Sequence, residues 1–199
     1  YSKPGTYTIH LRVTDEYGHT ATDSLEIEIK HPTASSVDYW TLFNDSRIRK
    51  VTFTISQNNW DLLWSDIEAK HTVSVNAEIF GQTYQNVGLR MRGQFSLRES
   101  GLKKPWKIDT DFFVDGQEYH NLKQLLFVNN IGDPSLLEEK MSYEMMKFTG
   151  LPASFVCYAE LWMDISDDNQ PPEFWGVYTM IEKVDRKFLA NRFGQDAKD

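Results

Sequence analysis

The sequence is poor in cysteine, and Cys157 is the only one among its 199 residues. A single cysteine cannot form an internal disulfide, and it cannot supply a cysteine-based zinc site. A starting methionine is missing too, and residues 1–5 contain no apolar core of a signal peptide. We therefore expect a piece of a longer protein, without disulfides and without a metal site of its own.

Long apolar runs and an excess of basic residues are also absent. No run approaches the roughly 20 residues that a membrane-spanning helix needs, so no membrane span is predicted. The 21 Lys and Arg against 29 Asp and Glu give a net charge of −8. Such a chain is a poor general ligand for nucleic acid or anionic membranes, because phosphate attracts basic surfaces. Since 40% of the residues are hydrophobic, a packed core is expected and wholesale disorder is excluded.

Motifs of common hydrolases do not occur. The 5 histidines are scattered, and the chain contains neither His-x-x-x-His nor Gly-x-Ser-x-Gly. No nucleophile with an adjacent base is visible, so a hydrolase is disfavoured. The acidic segment 165–172 has oxygen ligands of the kind that bind Ca²⁺, but its Asn and Pro residues are typical of a solvated turn.

The first thirty residues predict a β-hairpin. Apolar and polar residues alternate over 7–14 and again over 25–30, with Gly18 in the turn between them. The spacing Pro-Gly-x-Tyr from Pro4, followed by Val-Thr-Asp-x-x-Gly, resembles the C-terminal half of a PKD domain, an immunoglobulin-like β-sandwich. The resemblance implies a partial PKD domain over residues 1–31 and an extracellular or cell-surface bacterial protein. An unrelated immunoglobulin-like or fibronectin-like hairpin is the alternative.

A second unit follows a predicted linker at residues 32–46, where Pro, Ser, Thr, Asp and Asn mix without a period. Over residues 47–199, alternation and helical spacing predict both element types. The strands are expected near 51–55, 73–79, 87–91, 106–108, 155–165 and 174–182, and the helices near 56–67, 134–148 and 185–193. This order predicts an α+β fold with a mostly antiparallel sheet and one main helix.

The main helix carries a carboxylate in an apolar stripe. Asp133 is its expected N-cap and Pro134 its first residue. The stripe consists of Leu137, Met141, Met145 and Phe148. Glu144 falls within it, where a carboxylate is costly unless it has a partner. A strand lysine facing the helix, with Lys107 as the best candidate, would satisfy it; alternatively, Glu144 reaches solvent at the rim of the helix.

A basic turn lies between two of the predicted strands. Arg92, Gly93 and Ser96 follow one strand, and several lysines precede or begin the next. A glycine-containing turn edged by cations is able to cover phosphates with its N–H groups and positive charges. Basic residues on an exposed hairpin are, however, more often a solvated surface.

Three motifs in this unit resemble the CotH kinase family, named for a bacterial spore-coat protein. They are Arg-Met-Arg-Gly within residues 87–108, Asp-Pro-Ser-Leu-Leu at 133–137, and Gly-Val-Tyr-Thr-Met-Ile-Glu-Lys-Val-Asp at 176–185. The resemblance implies an atypical protein kinase with a two-lobed fold. Residues 47–199 would then be a kinase-like N-lobe, and the C-lobe would follow residue 199.

The resemblance also assigns phosphate and nucleotide contacts. Arg92, Gly93 and Ser96 would form the turn that covers the phosphates, and Glu182 would lie near the adenine. Lys107 would hold the phosphates, and Glu144 would be its helix partner.

For the phosphate-binding lysine and for its helix partner, the sequence offers a second candidate each. Lys104 competes with Lys107 for the phosphate-binding role, since the choice rests on strand alternation alone. Glu138 competes with Glu144 as its partner. A lysine and carboxylate pair is expected in a kinase because phosphoryl transfer depends mainly on positioning and charge stabilisation.

The expected activity is transfer of the γ-phosphate of ATP to hydroxyls of an unidentified protein, with Mg²⁺ ligands in the C-lobe. This chain alone is expected to be inactive. The alternative is a non-catalytic binding or scaffold module of an extracellular, polysaccharide-associated protein. The 6 tryptophans would suit a glycan platform, but core packing is the better interpretation for Trp60, Trp64 and Trp106.

Overall fold

A computed structural model describes residues 5–29 and 38–193, which belong to two compact units, Tyr1–Ser36 and Val37–Asp199. In the first unit, β1 (Gly5–Thr14) pairs antiparallel with β2 (Thr20–Ile29). The Asp15 carboxylate holds the turn by accepting the N–H groups of Tyr17 at 2.9 Å and His19 at 2.8 Å. The predicted hairpin is confirmed, whereas its assignment to a PKD domain stays a prediction.

The second unit contains seven strands and five short helices within its described residues. The strands are β3 (Arg49–Ile55), β4 (Val73–Ile79), β5 (Gln82–Met91), β6 (Trp106–Asp109), β7 (Gln124–Val128), β8 (Val156–Ile165) and β9 (Glu173–Glu182). The helices are α1 (Tyr39–Leu42), α2 (Gln57–Ser65), α3 (Phe95–Glu99), α4 (Glu138–Phe148) and α5 (Arg186–Phe193). None of the helices in the described ranges is long and apolar enough to cross a membrane.

The seven strands form one closed barrel in the order β3-β4-β5-β6-β7-β9-β8. All neighbours are antiparallel except β3 and β8, whose parallel pairing closes the barrel. The expected α+β, kinase-like N-lobe with one main helix is therefore wrong, because the unit is mostly β. Alternation predicted six of the strands but not their pairing, and it missed β7, which joins β6 to β9.

Strand alternation builds the barrel core. In β3, Val51, Phe53 and Ile55 are at most 1% exposed, while the residues between them lie at least partly in solvent. Phe53 meets Phe127 of β7 edge-on, with ring centroids 5.8 Å apart. Burial of each large apolar side chain contributes about 1.5 to 3 kcal/mol, so this interior is the main source of stability.

Four tryptophans pack together against this core. The Trp60 ring lies 5.6 Å from Trp64, 6.5 Å from Trp106 and 5.3 Å from Trp175, measured between centroids. Trp106 is completely buried, and the other three are partly buried against the core. The core-packing interpretation of Trp60, Trp64 and Trp106 is therefore confirmed.

Helix α4 begins later than predicted. It starts at Glu138, because Leu136 adopts a positive φ of 61° and the chain turns before the helix. The predicted cap Asp133 organises that turn by accepting the N–H groups of Ser135 at 3.0 Å and Glu138 at 2.9 Å. No residue of α4 is buried, and Phe148 is 93% exposed, so the apolar stripe of the helix faces solvent in the described structure.

Candidate functional site

The turn after β5 is held closely against the start of β6. The Arg92 N–H donates to the Pro105 carbonyl at 3.0 Å, which brings the two chain segments together. Gly93 has a φ of +87°, and a Cβ at this position would overlap the Ser96 hydroxyl. The turn therefore requires glycine at this position, and the structure brings Arg92, Gly93 and Ser96 together at one end of the barrel.

Four cations lie on β5, on β6, just after β5 and just after β9, and we call them the basic face. Arg90 on β5 is paired with Lys107 on β6, and both point outward between buried neighbours. Arg92 continues the outward side of β5, and Lys183 directly follows β9. All four residues are partly buried.

The positive charges of the basic face are only partly compensated. Burial lowers the pKa of Lys107, and the nearby charges of Lys183 and Arg90 lower it further. Among the described residues, Lys107 has one ion-pair partner, Asp109, with Nζ and Oδ2 3.6 Å apart. Arg90 forms no ion pair with any described residue. This face of an otherwise acidic molecule therefore presents an excess of positive charge.

A cavity of about 150 Å³ opens at the basic face. Its walls are formed by Thr72, Gly88, Arg90, Lys107, Asp109 and Phe112. A side chain at Gly88 would close it, because a Cβ there would come within 2.9 Å of the Phe112 Cβ. The cavity therefore has room for a small anionic group beside Arg90 and Lys107.

The predicted helix carboxylate Glu144 has partners on its own helix. It is 48% exposed and accepts a hydrogen bond from Lys147 at 2.6 Å, with Lys140 at 3.9 Å. No ion pair joins it to Lys107. The Glu144 carboxylate therefore reaches solvent, as the alternative interpretation proposed, and its role as a partner of Lys107 stays a prediction.

A different acid of α4 acts on the basic face. Burial lowers the pKa of Arg92, and the negative charge of Glu139 opposes that effect. Sequence reasoning missed Glu139 because it lies opposite the apolar stripe, which was expected to face the strands. The alternative partner Glu138 is the first residue of α4, and its N–H is bound to Asp133.

The alternative lysine, Lys104, is buried and hydrogen-bonded to the backbone of a neighbouring segment. Only 4% of Lys104 is exposed, and its amine donates to the Leu97 carbonyl at 2.7 Å. Since Leu97 belongs to α3, this bond fastens the short helix to the loop before β6. Of the two lysines weighed from the sequence, Lys107 is therefore the one that borders a cavity.

Glu182 lies inside the protein rather than at a cavity. It is 1% exposed and forms a two-bond contact with Arg192 of α5, at 2.5 and 3.0 Å. The Tyr39 hydroxyl and the Phe155 N–H also donate to it. Burial raises the pKa of Glu182, and Arg192 opposes the rise. Both carboxylate oxygens already accept two hydrogen bonds, so the side chain has little capacity left for a nucleotide.

The described residues contain no group of three or more His, Cys, Asp or Glu side chains that is able to hold a metal ion. Asp109 and Glu139 are the acids that act on the basic face, and Asp109 is already engaged by Lys107 and by the Gln124 amide. The basic face therefore offers positive charge to an anionic group, but the described part of the chain supplies no ligand set for Mg²⁺.

Comparison with known families supports the resemblance drawn from the motifs. A search of curated proteins found no match. The model of the family described as CotH kinase protein matches residues 89–199, which is more than half of the chain. The matched region includes the basic face, the turn at 92–96, helix α4 and Glu182. The chain therefore belongs to the CotH kinase protein family.

Proposed function

We propose that the protein is a kinase in which the basic face holds the phosphates of ATP for transfer of the γ-phosphate to a protein hydroxyl. The observation that carries the proposal is the excess of half-buried positive charge at Arg90, Arg92, Lys107 and Lys183 in a chain whose net charge is −8. Membership of a family described as kinase proteins supports it independently.

The physical reason lies in the charge that phosphoryl transfer must stabilise. The triphosphate carries several negative charges, and catalysis of its transfer depends largely on cations placed around the phosphates. Charged groups that are partly buried interact more strongly than fully solvated ones, because water and salt screen them less. The four cations of the basic face, with one acid in direct contact, meet this requirement.

The proposal gives each residue a role. Lys107 and Arg90 contact phosphate oxygens at the cavity, and the turn formed by Arg92, Gly93 and Ser96 covers them. Glu139 of α4 orients Arg92 through its opposite charge. The fold of the chain contributes rigidity, since all the cations stand on strands or strand ends of a closed barrel.

Binding of phosphates by the isolated chain tests the first part of the proposal. Calorimetric titration with ATP and with inorganic tripolyphosphate should show binding that weakens as salt is added. Lys107→Met should reduce the affinity about tenfold or more, because a hydrogen bond to a charged group is lost. Lys187→Met, on α5, is the matched control: the Lys187 amine lies 3.9 Å from Glu118, and its loss should leave the affinity unchanged.

Two results would count against the proposal. Unchanged tripolyphosphate affinity in both Lys107→Met and Arg90→Met would remove the basic face as the phosphate site. Phosphate transfer is followed with radiolabelled ATP in the longest natural form of the protein that carries this chain. Binding without any transfer would favour the non-catalytic module instead.

A further inference from the structure

A second and larger cavity, of about 450 Å³, lies between two loops, and we call it the loop cleft. Ser100 and Lys103, in the loop before β6, form one wall, and residues 129–134, in the loop before α4, form the other. No residue of the basic face lines it. Its volume falls within the range of about 300 to 1,000 Å³ that is usual for ligand pockets.

Lys103 brings an unpaired positive charge to the loop cleft. Its amine lies 5.0 Å from the centroid of the Tyr178 ring, and no described acid or acceptor binds it. Burial lowers its pKa. Gly176 leaves room for the side chain, because a Cβ there would come within 3.2 Å of the Lys103 Cε. The contact with Tyr178 positions the ammonium group but does not neutralise it.

Two buried side-chain amides in the opposite wall each have one polar atom without a partner among the described residues. Asn129 is 4% exposed; its Nδ2 donates to the Lys103 carbonyl at 2.8 Å, and its Oδ1 has no donor. Asn130 is 9% exposed; its Oδ1 accepts from Thr179 at 3.1 Å, and its Nδ2 has no acceptor. Unsatisfied buried polar atoms are uncommon, since each one costs free energy.

The acid of the loop cleft does not neutralise Lys103. Asp133 accepts hydrogen bonds from the Ser135 N–H and hydroxyl and from the Glu138 N–H. These bonds shape the turn before α4 and lower the pKa of Asp133. The loop cleft is therefore lined by the Lys103 cation, by the Asp133 carboxylate, which is engaged within its own turn, and by one hydrogen-bond acceptor and one donor that have no described partner.

We infer that the loop cleft binds an acidic peptide segment. A carboxylate of the peptide pairs with the Lys103 amine, a peptide N–H donates to Asn129 Oδ1, and a peptide C=O accepts from Asn130 Nδ2. A peptide unit supplies the donor and the acceptor together, whereas a phosphate would repel the Asn129 oxygen. This site is separate from the basic face and does not depend on ATP binding there.

Fluorescence anisotropy with a labelled peptide of alternating glycine and glutamate tests the inference on the folded chain. Lys103→Gln should weaken binding about tenfold or more, and Lys103→Arg, which keeps the charge, should retain it. Lys50→Gln is the matched control, because the Lys50 amine also lies over an aromatic ring, 4.6 Å from the centroid of Trp162, on another part of the barrel. This variant should bind like the natural chain.

The side-chain amide resonance of Asn130 provides a second readout. It should shift when the glutamate peptide is added, and it should stay in place when tripolyphosphate is added. Equal binding of a peptide in which glutamine replaces glutamate would overturn the inference. So would unchanged affinity in Lys103→Gln, or an Asn130 resonance that responds to tripolyphosphate and not to the peptide.

Discussion

At the residue scale, the ion pair between Glu182 and Arg192 is buried, so loss of one partner is expected to be strongly destabilising. Both side chains are withdrawn from water, with 0% and 13% exposed. Removing one partner leaves the other charge buried without compensation. We therefore expect Glu182→Gln to lower the free energy of unfolding by about 3 kcal/mol or more, measured by urea denaturation.

The matched control is a surface pair of similar geometry. Arg98 binds both oxygens of Glu68, at 2.6 and 2.9 Å, but both side chains are more than half exposed. Water already solvates these charges, so Glu68→Gln should change stability little. Equal losses in the two variants would contradict the argument from burial, since the hydrogen-bond geometry is nearly the same.

The candidate site was predictable at this scale only in part. Alternation in the sequence indicated that Lys107 points away from Trp106 and Ile108, and the structure places it on the outer side of the barrel. Its neighbours were not predictable, because Arg90 and Lys183 reach it through strand pairing across long stretches of chain. The sequence therefore identifies the cations, whereas the pairing of the strands determines which of them lie close together.

At the element scale, α4 is an amphipathic helix whose apolar side is exposed. Met145 is 63% exposed, and no residue of the helix is buried. A charged residue there loses no packing, so Met145→Lys should change the unfolding free energy by no more than about 0.5 kcal/mol. Leu89→Ala, at a completely buried position of β5, should cost about 2 to 5 kcal/mol in the same denaturation experiment.

A loss of more than 2 kcal/mol in Met145→Lys, well above the roughly 0.5 kcal/mol of surface changes, would contradict this view of α4. Helical spacing predicted which residues share the stripe, since that follows from 100° of rotation per residue. It could not indicate which side of the helix faces the barrel. The acid of α4 that acts on Arg92 is Glu139, on the side of the helix opposite the stripe.

At the scale of the whole molecule, closure of the barrel depends on one parallel pairing between distant segments. β3 and β8 are separated by about half of the chain, and their register runs from Arg49 opposite Ala159 to Ile55 opposite Ile165. Local periodicity carries no information on such a contact. This is why six of the seven barrel strands could be predicted while the architecture could not.

Closure predicts a specific pattern of amide hydrogen exchange. Residues 159–161 of β8 lie between β3 and β9 and have paired neighbours on both sides. Successive amides there should all exchange slowly, because a closed barrel has no free edge. In an open sheet that ended at β8, every second amide would face water and exchange rapidly.

The hairpin of β1 and β2 supplies the comparison within the same chain. Each of its strands is paired on one side only among the described residues, so slow and fast amides should alternate along Thr6 to Val13. Exchange measured residue by residue by NMR under native conditions separates the two patterns. Alternation along β8 as well would mean that β3 does not pair with it in solution, and the basic face would then stand on a sheet with a free edge.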